Sequence, residues 1–129
     1  MTDYVVDTFA WIEYFEGTAL GTRVRGLLED PVNRLMTPAP ILAEIRSKFL
    51  REGRDADPPS SAVENLSEIV ALDGSIARAA GDEHARRRKV MKDFGMMDAF
   101  LLATALARGA TILTGDPHFK GVAGVEFLR

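Results

Sequence analysis

The chain has 129 residues, 47% of them hydrophobic, and a net charge of −3. That length suits one compact domain around a single core, so residues 1–129 are expected to fold as one unit. The absence of cysteine excludes a disulfide scaffold, thiolate zinc sites, iron–sulfur clusters and thiol nucleophiles.

Asp3 to Asp7 reads as a short strand, because Tyr4, Val5 and Val6 are β-formers in an unbroken apolar run. Thr8 to Phe15 reads as a helix that Asp7 or Thr8 can cap and Gly17 ends. A second helix is expected from about Thr18 to Asp30, stopped by Pro31, and a short strand from Arg34 to Thr37. Pro38 to Arg51 carries Ile41, Leu42, Ile45, Phe49 and Leu50 at helical spacing. Arg54 to Ser61, polar and containing Pro58 and Pro59, reads as a loop. A helix resumes from Ser61 to Ile69, with a strand over Ile69 to Leu72. Asp73 caps a helix running to about Val90, and Met97 to Arg108 is a strongly apolar helix closed by Gly109. Ala110 to Leu113 is a buried strand, Gly115 to Phe119 a turn, and Val125 to Leu128 a final strand. Phe94, Met96 and Met97 read as core rather than as a cofactor surface, and Trp11 as core or interface rather than a base-stacking platform.

Strands alternating with helices in a chain this short predict an α/β fold, a three-layer sandwich with a mainly parallel central sheet flanked by helices. No apolar run approaches the roughly 20 residues needed to span a bilayer. The opening MTDYVVDTF lacks the basic head and apolar stretch of a secretory signal, so a cytoplasmic protein is the expectation.

Four acids punctuate the apolar runs: Asp7 in YVVDTFAW, Glu44 in PAPILAEIR, Asp98 in GMMDAFLLATA and Asp116 in TILTGDPHF. A desolvated carboxylate needs a partner, and the basic residues lie mostly elsewhere. Ligands of parallel sheets bind beyond the carboxyl ends of the strands. Asp7 and Asp116 are expected at that edge, with Glu44 and Asp98 reaching it from helices. Four acids gathered there repel one another unless a cation sits between them, and oxygen-only donors suit Mg²⁺ or Mn²⁺. Such ions acidify water and clamp the oxygens of a phosphodiester, so no catalytic histidine is required. Neither histidine is well placed for one: His84 lies in a basic stripe and His118 follows a proline in a turn. Thr8 and Thr114 belong to the same edge, where their hydroxyls can orient a metal or a water.

Each acid also has a plain explanation. Asp7 and Asp98 can be helix caps, and Asp116 a turn former before Pro117. Glu44 can pair with Lys48 at helical i, i+4 spacing for about 0.2–0.5 kcal/mol. Singly, these are as good as the metal reading. Jointly, they leave unexplained why all four acids map to one end of the sheet. Two basic segments, Arg46–Arg54 and His84–Lys92, read on charge alone as solvated helix faces; a phosphate substrate would make them its contact rim.

These residues carry a resemblance. The chain resembles PIN domains, in particular the free-standing VapC-type toxins of prokaryotic toxin–antitoxin pairs. VVDTFAWIEYF looks like that family's first strand and helix, PAPILAEI like its second-acid helix, and MMDAFLLATALARGATILTGDPHFKGVAGVEF like its C-terminal half. The family's four acids fall on Asp7, Glu44, Asp98 and Asp116, and its hydroxyl beside the fourth acid on Thr114. The resemblance implies Mg²⁺- or Mn²⁺-dependent RNA cleavage, a homodimer and a small antitoxin partner. Asp7, Glu44 and Asp98 would hold the principal ion, and Asp116 a second ion or the attacking water. Arg46, Arg87 and Arg88 would contact RNA phosphates. Two other classes are open: a catalytically silent PIN-like module that binds protein partners, and a phosphotransfer receiver. The receiver wants paired acids after the first strand, where this chain has Asp7 followed by Thr8 and Phe9.

Overall fold

The computed structural model describes residues 2–129. In chain order its elements are β1 (Asp3–Val6), α1 (Thr8–Glu16), α2 (Ala19–Leu28), β2 (Arg34–Pro38), α3 (Ala39–Arg51), α4 (Asp57–Leu66) and β3 (Glu68–Val70). There follow α5 (Gly74–Arg88), α6 (Met96–Arg108), β4 (Thr111–Thr114), a 3-10 turn (Pro117–Phe119) and β5 (Val125–Phe127). The sheet has the order β3-β2-β1-β4-β5, and every pair in it is parallel. Val5, Val6, Ile112 and Leu113 are fully buried, which is why the central strands are continuous apolar runs rather than alternating ones.

From β1 the chain steps outward to β2 and β3, then returns to the other side of β1 for β4 and β5. Right-handed crossovers in opposite directions put α1–α4 on one face and α5–α6 on the other. The helix contacts agree: α1 packs on α2 and α3, α3 on α4, and α5 on α6. The main core unites both central strands with Trp11, Ile41, Ile45 and Phe119, while a smaller cluster of Ile76, Ala80, Phe94, Ala99 and Ala103 seals α5 to α6. Trp11 is a core residue; its indole N–H donates to Thr37 Oγ1 at 3.1 Å. The point where strand order reverses lies between β1 and β4, and their carboxyl ends form the crevice in which such sheets bind ligands.

Three expectations need correction. The segment around Pro58 and Pro59 is helical from Asp57, not a loop. First-turn amides have no intrahelical acceptor, so proline costs nothing there, and the Asp55 carboxylate accepts from Asp57 N at 3.0 Å to turn the chain into the helix. The third strand is Glu68–Val70, earlier than Ile69–Leu72, because it pairs with Met36, Thr37 and Pro38 of β2. Met96 is 47% exposed and not core; it is the first residue of α6 and its side chain faces solvent.

Candidate metal centre

Asp7 directly follows β1, and Thr114 ends β4 two residues before Asp116. The two strands are in parallel register, Val6 opposite Leu113, so both acids emerge at one edge. Asp98 comes to that edge from the first turn of α6, and Glu44 from the second turn of α3. All four line one cleft of about 120 Å³, together with Thr8, Phe9, Ile41, Met97 and Leu101. A second groove of about 330 Å³ shares Thr8 and Glu44 with it and continues along α3 past Ser47 to Lys48 and Arg51.

Three of the acids are pinned by local donors. Asp7 is 4% exposed. Its Oδ1 accepts from Ala10 N at 2.9 Å, capping α1, and its Oδ2 accepts from the Thr114 hydroxyl. Thr114 Oγ1 accepts in turn from Asp116 N at 2.9 Å, tying the first acid to the fourth. Asp116 Oδ1 accepts from His118 N at 2.9 Å, and Asp98 Oδ2 from Gly95 N at 3.0 Å. Glu44 makes no ion pair with Lys48, which bonds Glu52 at 2.7 Å instead. The i, i+4 explanation of this acid therefore fails.

The electrostatics are those of crowded carboxylates. Burial pushes Asp7 up to about 7 against the pull of Thr114 and Ala10, with Asp116 and Asp98 adding to the rise. Burial also raises Glu44 and Asp98; Asp98 adds to the rise of Glu44, and Asp116 to that of Asp98. The Thr8 hydroxyl eases Glu44 back down, yet Thr8 Oγ1 is a buried atom with no hydrogen bond of standard geometry. Carboxylates crowded in this way repel one another unless a cation sits among them. Hard divalent ions take carboxylate and hydroxyl oxygens, so the donor set and the orphaned hydroxyl fit one.

His118 corrects the sequence reading. Nothing in a Pro-His pair marks it, but the turn folds it over the acids. Its Nδ1 lies 3.0 Å from Asp116 Oδ1 and 3.2 Å from Asp98 Oδ2, and its Nε2 lies 3.0 Å from Asp93 Oδ2. Asp93 in the first place, then Asp116 and Asp98, hold the imidazole above its ordinary range. One ligand atom each from Asp98, Asp116 and His118 fall within 4.8 Å of one another. The available signal was the i, i+2 spacing from Asp116: a carboxylate accepting from the amide two residues on forms an Asx turn, which folds the following chain back over the acid.

The three basic candidates are structurally engaged. Arg46 binds Asp57 at 3.0 Å and Ser60 at 2.8 Å, joining α3 to α4. Arg87 bonds the buried Glu83 at 3.2 Å and lies over the Phe94 ring. Arg88 reaches the Phe94 carbonyl and is exposed. Arg86, Arg87 and Arg88 close the last turn of α5, where positive charge suits the negative end of a helix.

Among the described residues, no helix is long and apolar enough to cross a membrane. A VapC ribonuclease of Mycobacterium bovis is 30% identical over 129 residues, covering 97% of this chain and 95% of the relative. Ribonuclease VapC11 of Mycobacterium tuberculosis matches to the same extent. In fold, the chain is similar to the Mycobacterium tuberculosis VapC20 toxin, described as cleaving the sarcin–ricin loop, with a TM-score of 0.76 at 20% identity, covering 97% of this chain and 98% of that one. The model of the PIN domain matches residues 4–125. That span runs from the first strand to the last and takes in all four acids of the cleft, and the chain belongs to the PIN domain family.

Proposed function

We propose that this protein is a Mg²⁺- or Mn²⁺-dependent endoribonuclease, the toxin of a toxin–antitoxin pair, working as a homodimer held in check by a small antitoxin protein. The observation that carries this reading is the convergence of Asp7, Glu44, Asp98 and Asp116 on one cleft at the carboxyl edge of β1 and β4. The relatives named as ribonucleases support the reaction. Solved toxin–antitoxin complexes of the same fold, from Klebsiella pneumoniae with a TM-score of 0.73 among others, support the partner.

Asp7, Glu44 and Asp98 would hold the principal ion, with Asp116 holding a second or orienting the attacking water. Bound there, a divalent ion supplies Lewis acidity at the phosphodiester and lowers the pKa of water. The chain's own part is positional. Ala10 N, Gly95 N and His118 N each occupy one lone pair of an acid and fix its rotamer. Thr114 links Asp7 to the Asp116 backbone, so the two strand ends move as one. Preorganised ligands of this kind spend no energy reorienting during the reaction. The groove toward Lys48 and Arg51 leads from the acids to positive charge, a path suited to a phosphate backbone. Phe9, Ile41, Met97 and Leu101 supply the apolar part of the cleft's lining.

The test is Asp98→Asn. Asparagine keeps an acceptor for Gly95 N, so the helix start survives, but the charge on the cation is lost. Cleavage of total RNA with Mn²⁺ should fall by about a hundredfold or more with the circular dichroism spectrum unchanged. Water attack on phosphorus predicts 5′-phosphate and 3′-hydroxyl ends, read by ligation. Wild-type activity in the variant would remove Asp98 from the mechanism. A 2′,3′-cyclic phosphate product would replace water with the ribose hydroxyl as nucleophile. Failure of the wild-type protein to cut any RNA would favour a silent protein-binding module.

A further inference from the structure

We propose that His118 is itself a metal ligand: its Nδ1 joins Asp98 and Asp116 in a mixed nitrogen–oxygen site that takes a first-row transition ion in preference to Mg²⁺. The proposal rests on the metal reading above and deepens it, since four carboxylates alone would make an oxygen-only site.

The geometry carries it. Nδ1 is buried, has no hydrogen-bond partner, and stands 3.0 Å from Asp116 Oδ1 and 3.2 Å from Asp98 Oδ2. Cis ligands of an octahedral ion at about 2.1 Å are about 3 Å apart. The Nδ1–oxygen spacings therefore match two edges of a coordination octahedron. They do not match good hydrogen bonds, because neither carboxylate lies along the direction Nδ1 would need as a donor. The other ring nitrogen is engaged elsewhere: Nε2 lies 3.0 Å from Asp93 Oδ2, which leaves Nδ1 on the side of the acids. A ring nitrogen set beside two carboxylate oxygens that it does not bond is a ligand position for a cation that all three share. A carboxylate behind a histidine is also the usual outer-shell support of a metal-bound imidazole.

The position of the ring is built in by the chain. Asp116 Oδ1 accepts from His118 N at 2.9 Å, and Phe119, fully buried and edge-on to Phe94, anchors the turn. Imidazole favours later first-row ions, whereas Mg²⁺ prefers oxygen alone. An ion bound by Asp98, Asp116 and His118 would thus discriminate between metals that four acids would treat more alike.

Mn²⁺ is the probe, because it is paramagnetic. Electron spin-echo envelope modulation of the wild-type protein with one equivalent of Mn²⁺ should show ¹⁴N coupling. The chain has two histidines, so labelling with ¹⁵N-histidine should convert that coupling to its ¹⁵N form, and His84→Gln should leave it in place. His118→Gln should abolish the nitrogen signal and weaken Mn²⁺ binding by about tenfold or more in calorimetry. Its effect on Mg²⁺ should be less than about threefold. Mn²⁺ bound to the wild type without nitrogen coupling overturns the proposal and leaves the metal reading standing. Equal loss of Mn²⁺ and Mg²⁺ affinity in His118→Gln overturns the claimed selectivity. No Mn²⁺ binding to the wild type overturns the metal reading and this proposal with it. The spectrum of the wild type decides the ligand question even if the variant folds poorly.

Discussion

Replacing Asp7 by asparagine should stabilise the metal-free protein while destroying its response to metal. Burial raises the Asp7 carboxyl from 3.8 to about 7. A folded pKa above the unfolded one means the native state binds the proton more tightly, so stability falls as pH rises from about 4 through 7, and the whole penalty is in force above that. Roughly three units correspond to about 4 kcal/mol. Asparagine carries no charge and keeps Oδ1 as the acceptor for Ala10 N, so the cap on α1 remains. Its amide meets Thr114 Oγ1, which already accepts from Asp116 N, so the hydroxyl proton loses its acceptor. Deducting about 1 kcal/mol for that loss leaves a gain of about 3 kcal/mol. For a chain of this size that is on the order of 10 °C in Tm. The assay is calorimetry at pH 5 and pH 8, in EDTA and with Mn²⁺. In EDTA the variant should exceed wild type clearly at pH 8 and much less at pH 5. His118, whose pKa is also raised, contributes stability that is likewise lost with rising pH, but it is present in both proteins and largely cancels. Mn²⁺ should raise wild-type Tm by mass action and the variant's far less. A variant no more stable than wild type at pH 8 in EDTA would refute the argument that Asp7 is held as a strained charge.

Two further perturbations separate structure from function. Arg87→Ala leaves the buried Glu83 with Arg86 as its remaining charged partner and should cost about 1–2 kcal/mol in urea unfolding. Arg88→Ala should leave stability within about 0.5 kcal/mol, and if Arg88 contacts a phosphate it should flatten the slope of log affinity against log salt by about one; an unchanged slope takes Arg88 out of the RNA path. Within α2, Gly26→Ala meets nothing within 4 Å and should stabilise by up to about 1 kcal/mol. Gly21→Ala would bring its Cβ to 2.1 Å from the Glu13 carbonyl oxygen and should destabilise by about 1–3 kcal/mol despite the better helix former, because backbone has to move.

The fold was legible where the pattern was local. Val5–Val6 and Ile112–Leu113 announce buried parallel strands by being apolar on both faces, and Gly17 and Gly109 mark helix ends by adopting φ of 68° and 59°. The start of α4 was misread because two prolines look like a breaker when their position within a helix is unknown. The four acids were legible as a set, since each interrupts an apolar run and three of them, Asp7, Asp98 and Asp116, lie at or near an element end. His118 was not: its role depends on Asp93 in the α5–α6 loop and Asp98 at the start of α6 meeting the turn after β4. The i, i+2 spacing from Asp116 signals the turn, but nothing in the sequence encodes its meeting with Asp93 and Asp98.

Helix cap and metal ligand began as competing explanations of the same acids, and the geometry removes the competition. Asp7 caps α1 with one oxygen and is held by Thr114 at the other. Asp98 accepts from the backbone amide at the start of its own helix, and Asp116 forms the Asx turn that also delivers His118. Each carboxylate oxygen has two lone pairs, so a backbone bond leaves capacity for an ion. The structural bonds also make a repulsive cluster tolerable, because they fix the side chains that would otherwise swing apart into solvent. Gly115 serves the same end: a Cβ there would fall 2.2 Å from the Phe9 ring, so only glycine lets the strand end press Asp116 against the cleft that Phe9 lines. The division of labour can be read from substitutions. Asparagine at Asp7 or Asp98 preserves the cap and removes the carboxylate charge, whereas alanine removes both. A metal site built on caps therefore requires that Asn and Ala variants agree in lost activity and differ in stability. A mere set of caps requires that Asn variants behave as wild type in both.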